Sequence, residues 1–320
     1  MENFKDKLKF ALISGIRKGW SGFVWMMKIL LPISFFTMLL DYSGLISRLD
    51  FLLSPVMGLL SLPPAAALPL IAGMLTGIYG GIAAMIMLPL SVDQMTLIAV
   101  FILISHNLIQ EGIIQGQSGM HPFKATIFRL TASALTVAAV AHFLDPVSAV
   151  PAVKNISASG AVSFWSVLEK WGMETAYLSL KIFLIIMGLM TVLGIMKSFN
   201  GIPRIVRVLK PVLKLMGLDE RVGLLWLTAG IFGIAYGAAV ILEEAKEGNL
   251  TADELTRLHL SIGINHSMVE DPSLFLSLGL SAFWLWIPRL VTAILAVHLM
   301  ILWQKMRHRK SFGILRESVK

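Results

Sequence analysis

LSVDQM at residues 90–95 and LTADEL at residues 250–255 are two copies of one pattern, and the likeness continues downstream without a gap. An offset of 160 residues relates the two copies. It pairs polar residues with polar residues in or beside apolar stretches, where an ionisable group is costly. The polar pairs are Thr96 with Thr256, His106 with His266, Glu111 with Asp271, and Arg129 with Arg289, and the same offset pairs Gly119 with Gly279. The chain is therefore an internal duplication.

The duplication also extends upstream, where the offset falls to 156 residues. It pairs Arg48 with Arg204, Pro55 with Pro211, Gly77 with Gly233, and Ala83 with Ala239. Four extra residues near 243–249 account for the change of offset. Two halves with ionisable groups at matching depth are typical of a transporter core.

The composition indicates a membrane protein. Of the 320 residues, 56% are hydrophobic and 14% are charged, and the mean hydropathy is +0.78. Soluble domains carry about 25% charged residues. Several apolar stretches have the roughly 20 residues that a spanning helix needs; the best are 20–42, 66–90, 96–114, 123–145, 173–198, 222–242, 258–282 and 284–304. We expect an all-α polytopic protein, integral to the cytoplasmic (inner) membrane of a prokaryote and surrounded by lipid.

The net charge of +8 lies in short basic flanks of apolar spans, at 5–18, 204–221 and 305–316. This distribution is the positive-inside pattern, so we expect both termini in the cytoplasm and no nucleic-acid partner. The basic segment 199–221 belongs inside as well, whereas its counterpart 45–62 tolerates the outside. Equivalent segments on opposite faces predict that the halves are inverted. The alternative, a parallel duplication, would place five basic residues of 199–221 outside.

The chain divides into a basic cytoplasmic segment, a first membrane repeat, a linker, a second membrane repeat and a basic cytoplasmic tail, at 1–19, 20–145, 146–172, 173–304 and 305–320. Each repeat has four apolar segments where three crossings are required, so one segment enters and leaves by the same face. The Gly-rich segments are the best candidates for such re-entrant hairpins, with tips at Gly77, Tyr79, Gly80, Gly81, Gly233, Tyr236 and Gly237. The alternative is a helix-packing face of Gly73, Gly77 and Gly81.

Two polar segments, SHNLIQEG at 105–112 and NHSMVEDP at 265–272, are the candidate binding site. Each combines an imidazole, an amide or hydroxyl, and an acid, and we expect the helix to break at Gly112 and at Pro272. On a continuous helix His266 and Glu270 share a face, whereas His106 and Glu111 do not. The candidate residues are His106, Asn107, Gln110, Glu111, Asn265, His266, Ser267, Glu270 and Asp271.

These residue types suit three kinds of ligand. A histidine beside a carboxylate can pass protons, two histidines with carboxylates can coordinate a divalent cation, and the amides and hydroxyl can bind a polar solute. A buried network that locks the halves together is the structural alternative. Arg129 and Arg289 either neutralise the acids of these segments or extend to the membrane interface.

Other chemistries have no support in the sequence. No phosphate-binding loop and no HExxH zinc motif occurs, and GQSG at 116–119 lacks the spacing of a nucleophile elbow. The absence of cysteine excludes thiolate metal sites. We therefore expect no enzyme and no cofactor; the coupling ion would be H⁺ or Na⁺, and a divalent metal stays open.

GIYGG, GIAYG, the segment from LTADEL to NHSMVEDPSLF, and the following PRL resemble the nucleoside-recognition, or "Gate", domain membrane proteins. That family is similar to the cores of concentrative nucleoside transporters, the membrane part of B-type ferrous iron permeases, and spore maturation membrane proteins. The resemblance covers most of residues 20–304. It implies an inverted structural repeat with re-entrant hairpins and broken helices. It also implies solute contacts at Thr76–Gly81, Ile234–Gly237, His106–Glu111 and His266–Asp271.

The function we expect is a secondary transporter, or permease, for a small polar solute. The solute would be nucleoside-like or a small ion, and a cation gradient would drive its movement. The alternatives are a divalent metal ion permease and a membrane scaffold or assembly factor without transport activity. The partners expected are lipid and the solute, and a second copy of the chain is admissible.

Overall fold

The computed structural model describes residues 4–48, 50–146, 163–199, 211–218, 220–233, 240–244, 247 and 250–317. Within these ranges all regular structure is helical and no strand occurs, which confirms the all-α prediction. The helices of the first repeat are α1 (Phe4–Tyr42), α2 (Leu45–Arg48), α3 (Asp50–Gly58), α4 (Ala67–Thr76), α5 (Ile78–Met85), α6 (Val92–Ser105), α7 (Leu108–Gln117) and α8 (Pro122–Ala141). A 3₁₀ turn, Pro64–Ala66, leads into α4.

In the described part of the second repeat, the long helices follow in the same order as their counterparts in the first. Its helices are α9 (Phe164–Ser198), α10 (Glu220–Phe232), α11 (Ala252–Asn265), α12 (Glu270–Leu276) and α13 (Ala282–Glu317). Residues 211–215 and 240–244 are helical as well. Five stretches of the described chain are long and apolar enough to cross a membrane: Phe4–Tyr42, Val92–Gln117, Pro122–Ala141, Phe164–Met196 and Ala282–Arg307. The protein is polytopic.

Equivalent helices of the two repeats run antiparallel. The ring of Tyr42, at the end of α1, lies 5.6 Å from that of Phe164, at the start of α9. Phe23 lies 5.1 Å from Phe183 farther along the pair. At the other end of the pair, Gly15 packs against the backbone of Thr191. An offset of 156 residues makes α1 and α9 equivalent, so their antiparallel packing confirms that the repeats are inverted.

The helices α8 and α13 form a second antiparallel pair of equivalent elements. The hydroxyl oxygens of Thr136 and Thr292 are 2.7 Å apart. Seven residues farther along the chain, just past the end of α8, the ring of Phe143 lies 6.1 Å from that of Trp284, near the start of α13. In both pairs, the helix of the second repeat therefore runs antiparallel to its counterpart in the first.

The Gly-rich segment of the first repeat is a helical hairpin, as predicted. The 10 residues of α4 and the 8 residues of α5 rise about 15 Å and 12 Å, roughly half of a 30 Å hydrocarbon core. Gly77 joins them with φ 92°, a conformation that favours glycine. A Cβ atom on Gly81 would lie 3.3 Å from the Cα of Gly73, so the two arms pack closely. Gly73 and Gly81 also pack against Ile102 of α6, so the same segment is both a hairpin and a helix-packing face.

The second hairpin is described only in part. The helix α10 ends at Phe232, and Gly233 follows with φ 84°, which matches Gly77. The predicted tip residues Tyr236 and Gly237 lie outside the described residues.

The helix that carries each histidine breaks earlier than predicted. The first break lies between α6 and α7, where Asn107 has φ 51°, and the second lies between α11 and α12, where Ser267 has φ 48°. The prediction of breaks at Gly112 and Pro272 was wrong. Gly112 lies within α7, and Pro272 lies in the first turn of α12, where its missing N–H group removes no helical hydrogen bond.

The breaks lie deep inside the protein. Every side chain from Thr96 to Ser105 on α6 is buried, and so is every side chain from Leu258 to Asn265 on α11. Helices that are buried on all sides occupy the centre of a bundle. The C-terminal ends of α6 and α11 therefore bring both histidines to the interior.

Candidate functional site: a two-histidine cluster between the repeats

His106 and His266 meet across the interface between the two repeats. Their Nε2 atoms are 3.2 Å apart, and their ring centroids are 4.8 Å apart. The residues are 6% and 1% exposed. Each is the first residue after its helix, so the duplicated break places two equivalent imidazoles in contact.

A backbone carbonyl fixes the orientation of each imidazole. His106 Nδ1 lies 3.0 Å from the carbonyl oxygen of Ile102, and His266 Nδ1 lies 2.8 Å from that of Ile262. A carbonyl oxygen only accepts hydrogen bonds, so each Nδ1 carries the proton. Each Nε2 of a neutral imidazole then offers a lone pair to the interface.

Glu111 and Asp271 complete the cluster. Glu111 Oε1 lies 3.1 Å from His106 Nε2, and Glu111 Oε2 lies 3.2 Å from His266 Nε2. Asp271 Oδ2 lies 3.6 Å from His106 Nε2. Within the described part of the chain, Asp271 Oδ2 accepts no hydrogen bond. The cluster therefore consists of two imidazoles and two carboxylates from four separate turns of chain.

Arg129 binds the carbonyl groups that the first break exposes. Its Nε and Nη2 atoms donate to the carbonyl oxygens of Ile104 and His106, both at 2.8 Å. Its Nη1 atom lies 2.7 Å from Glu111 Oε2. The side chain is 1% exposed, so the guanidinium lies in the protein interior and not at the membrane interface.

Arg289 has the equivalent position in the second repeat but fewer partners. It donates to the carbonyl oxygens of Ile264 and His266, at 2.9 to 3.1 Å. Among the described residues, its Nη1 atom has no hydrogen-bond partner, and no carboxylate lies within ion-pair distance of it. The two repeats are therefore similar in backbone and unequal in charge pairing.

Glu270 does not pair with His266, although a continuous helix would place them on one face. The break separates them, and Tyr79 donates its hydroxyl to Glu270 Oε1 at 2.8 Å. This bond ties α5 of the first repeat to α12 of the second. Tyr79, predicted as a tip residue, lies on α5 just beyond the turn.

The last turn of the helix that precedes Gly77 or Gly233 packs against the break of its own repeat. The backbone N–H of Asn107 donates to the carbonyl oxygen of Gly73 at 3.0 Å, and the backbone N–H of Ser267 donates to that of Ala229 at 3.3 Å. Gly77 is buried beside Asn107. The predicted tip residues Gly80 and Gly81 are buried within α5.

The remaining predicted residues lie around the cluster without joining it. Asn107 Nδ2 donates to Gln110 Oε1 at 3.0 Å, on an exposed edge. Asn265 is buried, and its Nδ2 atom has no hydrogen-bond partner in the described chain. Ser267 is partly exposed.

The sequence did not predict three hydrogen bonds between elements. Gln115 Nε2 donates to the carbonyl oxygen of His259 at 3.1 Å, and His259 Nε2 lies 2.8 Å from the carbonyl oxygen of Ser118. Trp286 donates its indole N–H to the carbonyl oxygen of Met268 at 2.8 Å, inside the second break. The sequence did contain a signal for His259, because the second repeat has a histidine in an apolar stretch where the first repeat has Ala99.

One similar protein was found. The chain is 26% identical over 290 residues to "Uncharacterized membrane protein YvoD" of Bacillus subtilis (strain 168), a match that covers 90% of this chain and 93% of that protein. The chain is an integral membrane protein. No protein-family profile matches the chain. No solved structure matches it.

Proposed function

We propose that this protein is a secondary permease for a small polar solute or ion, and that the two-histidine cluster is its central site. The observation that carries the proposal is the contact between His106 and His266 at two symmetric helix breaks. In transporters built from inverted repeats, interrupted helices bind substrate and coupling ions near the middle of the membrane. A cation gradient, of H⁺ or Na⁺, would drive the movement.

The cost of the cluster supports a role beyond packing. Glu111, Asp271, Arg129 and Arg289 are all buried in an apolar protein, together with both imidazoles. Ionisable groups inside a membrane protein usually mark a pathway for ions or substrates. The cluster suits a small ion directly, and the resemblance to Gate-domain proteins makes nucleosides the first polar solutes to test.

A membrane scaffold is the second candidate function, and one observation favours it. The Arg129–Glu111 ion pair and the contacts of Glu111 to both imidazoles hold the cluster together, and both imidazoles are almost fully buried. A permease would reach this arrangement only in its occluded conformation, whereas a scaffold would keep it permanently.

Access of water to the cluster separates the two functions without knowledge of the solute. The chain contains no cysteine, so Asn265→Cys creates a single reactive thiol beside the cluster. Ser105→Cys, a nearly isosteric change, does the same at the equivalent position of the first repeat. Each variant is treated with a membrane-impermeant maleimide in right-side-out and in inverted vesicles, with exposed Ser43→Cys as the control.

A permease exposes the cluster alternately to the two sides. We therefore expect both buried thiols to react from both faces, more slowly than the control, which should react from one face only. Reaction from neither face would support the scaffold. Reaction from a single face would show a fixed vestibule and would overturn alternating access.

A further inference from the structure

The two imidazoles direct their free nitrogen atoms at one point. Because each Nδ1 donates to a carbonyl oxygen, the Nε2 atoms of His106 and His266 face one another as acceptors, 3.2 Å apart. Two lone pairs at this distance repel unless a cation, either a proton or a metal ion, lies between them. Histidines that bind metals are oriented in this manner, with the second ring nitrogen held by a carbonyl or carboxylate.

The distances within the cluster fit a single metal ion. Two ligands about 2.0–2.1 Å from a tetrahedral zinc ion lie about 3.3 Å apart. The two Nε2 atoms are 3.2 Å apart. His106 Nε2 lies 3.1 Å from Glu111 Oε1 and 3.6 Å from Asp271 Oδ2, and His266 Nε2 lies 3.2 Å from Glu111 Oε2. The candidate ligand atoms of His106, His266 and Asp271 all lie within 4.8 Å of one another.

Asp271 provides an independent sign of a missing partner. The residue is 7% exposed, and its Oδ2 atom accepts no hydrogen bond from the described residues. A buried carboxylate oxygen normally has a donor or a metal ion as its partner. Oδ2 is the oxygen of Asp271 that lies nearest to His106 Nε2.

The ligand residues are also held from behind. Arg129 binds the carbonyl oxygen of His106 and the carboxylate of Glu111, and Arg289 binds the carbonyl oxygen of His266. Such outer contacts fix the positions of metal ligands and contribute to affinity. Ligand side chains held in fixed positions favour an ion with a defined coordination geometry over an ion that keeps its water shell.

The donor set selects a class of metal. Two imidazole nitrogens and two carboxylate oxygens suit divalent transition metals such as Zn²⁺, Fe²⁺ or Co²⁺. Mg²⁺ and Ca²⁺ prefer sites made of oxygen alone. We propose that His106, His266, Asp271 and Glu111 bind one divalent transition-metal ion such as Zn²⁺, Fe²⁺ or Co²⁺. That the ion is the transported cargo rests on the proposed function. The position of the site rests on the geometry alone.

Co²⁺ is the best probe, because its visible absorption reports the number and type of its ligands. The untagged full-length protein in detergent is freed of metal with a chelator and titrated with Co²⁺, then with Zn²⁺. We expect one Co²⁺ per chain with a spectrum of nitrogen and oxygen ligation, and its displacement by one equivalent of Zn²⁺. Mg²⁺ in large excess should leave the spectrum unchanged.

The variants test the assignment of the ligands. His266→Ala and Asp271→Asn should each weaken Co²⁺ binding at least tenfold. His298→Ala is the matched control, because His298 has the same contact to the carbonyl oxygen four residues earlier but is exposed and distant in sequence from the cluster. His266→Cys keeps a ligand at that position and should add a sulfur-to-cobalt charge-transfer band, which no structural role of His266 explains.

The outcomes separate this inference from the proposed function. Absence of stoichiometric Co²⁺ and Zn²⁺ binding, or binding that survives both His266→Ala and Asp271→Asn, overturns the metal site. Uptake of Zn²⁺ into proteoliposomes, lost in His266→Ala and retained in His298→Ala, supports both proposals. Cluster-dependent binding without alternating access of the thiols keeps the metal site and removes the permease.

Discussion

Arg129 shows how one side chain supports a broken helix inside a membrane. Two of its nitrogen atoms bind carbonyl groups that the break deprives of helical partners, and the third lies against Glu111. A lysine at this position has one charged nitrogen on a flexible stem and does not reproduce the planar fork. Arg129 therefore contributes hydrogen bonds to the backbone and charge compensation at once.

Removal of Arg129 should strongly destabilise the protein, and removal of its partner should recover part of the loss. Breaking a buried ion pair by deleting one member costs about 3–5 kcal/mol, because the other charge stays buried. We expect Arg129→Gln to lower the free energy of unfolding by that amount, and Arg129→Gln with Glu111→Gln to lower it by less. Chemical unfolding in detergent, followed by tryptophan fluorescence, measures both.

Arg307→Gln is the control for this comparison. Arg307 is exposed and lies 5.6 Å from the ring centroid of Trp303, so its loss should cost less than about 1 kcal/mol. If Arg129→Gln were as mild as this control, Glu111 would not depend on Arg129 for its charge compensation.

The residues of the cluster were predictable, but their pairing was not. The duplication placed His106 with His266 and Glu111 with Asp271, and these four side chains do meet. The pairing of His266 with Glu270 was wrong, because it assumed a continuous helix. Because the helix breaks at Ser267, Glu270 instead accepts a hydrogen bond from Tyr79, which lies 191 residues away in the sequence. Contacts between the repeats cannot be obtained from spacing within one repeat.

At the scale of elements, the hairpin was predictable and the position of the breaks was not. Too many apolar segments for the required crossings, together with the glycines around Gly77, indicated the hairpin. Glycine and proline at Gly112 and Pro272 suggested breaks there, but Asn107 and Ser267 adopt positive φ instead. Asparagine adopts this conformation more readily than most residues, so Asn107 was the better signal.

The antiparallel pair of α1 and α9 depends on glycine where the helices cross. A Cβ atom on Gly15 would lie 2.7 Å from the Cα of Thr191, so the backbones would have to separate. Gly188 on α9 has nothing within 4 Å of such an atom. We expect Gly15→Ala to destabilise the protein by about 1–3 kcal/mol through overpacking.

The matched change Gly188→Ala should leave stability equal or raise it by up to about 1 kcal/mol, because alanine has the higher helix propensity. Thermal unfolding of both variants in the same detergent gives the comparison. Equal effects of the two changes would mean that the close approach of α1 and α9 contributes nothing to stability.

At the scale of the whole molecule, the inverted duplication predicts a topology that single cysteines can test. Ser43 follows the end of α1 and Ser198 is the last residue of α9, and the two helices run in opposite directions. Ser43→Cys and Ser198→Cys should therefore react with an impermeant maleimide from opposite faces of the membrane. Reaction of both from the same face would mean that α1 and α9 do not each cross the bilayer as an antiparallel pair.

The unequal charge pairing of the two repeats has a thermodynamic consequence. When two inverted halves exchange conformations, a state open to one side becomes a state open to the other. With identical halves these two states would be equally populated. Glu111 has Arg129 as its partner, whereas no carboxylate of the described residues lies within ion-pair distance of Arg289, and the position equivalent to Tyr79 is Ala235.

Each such inequality tilts the balance, and about 1.4 kcal/mol is enough for a tenfold excess of one state. The permease we propose therefore has a preferred resting side, which is set by the divergence of its two copies and not by the solute.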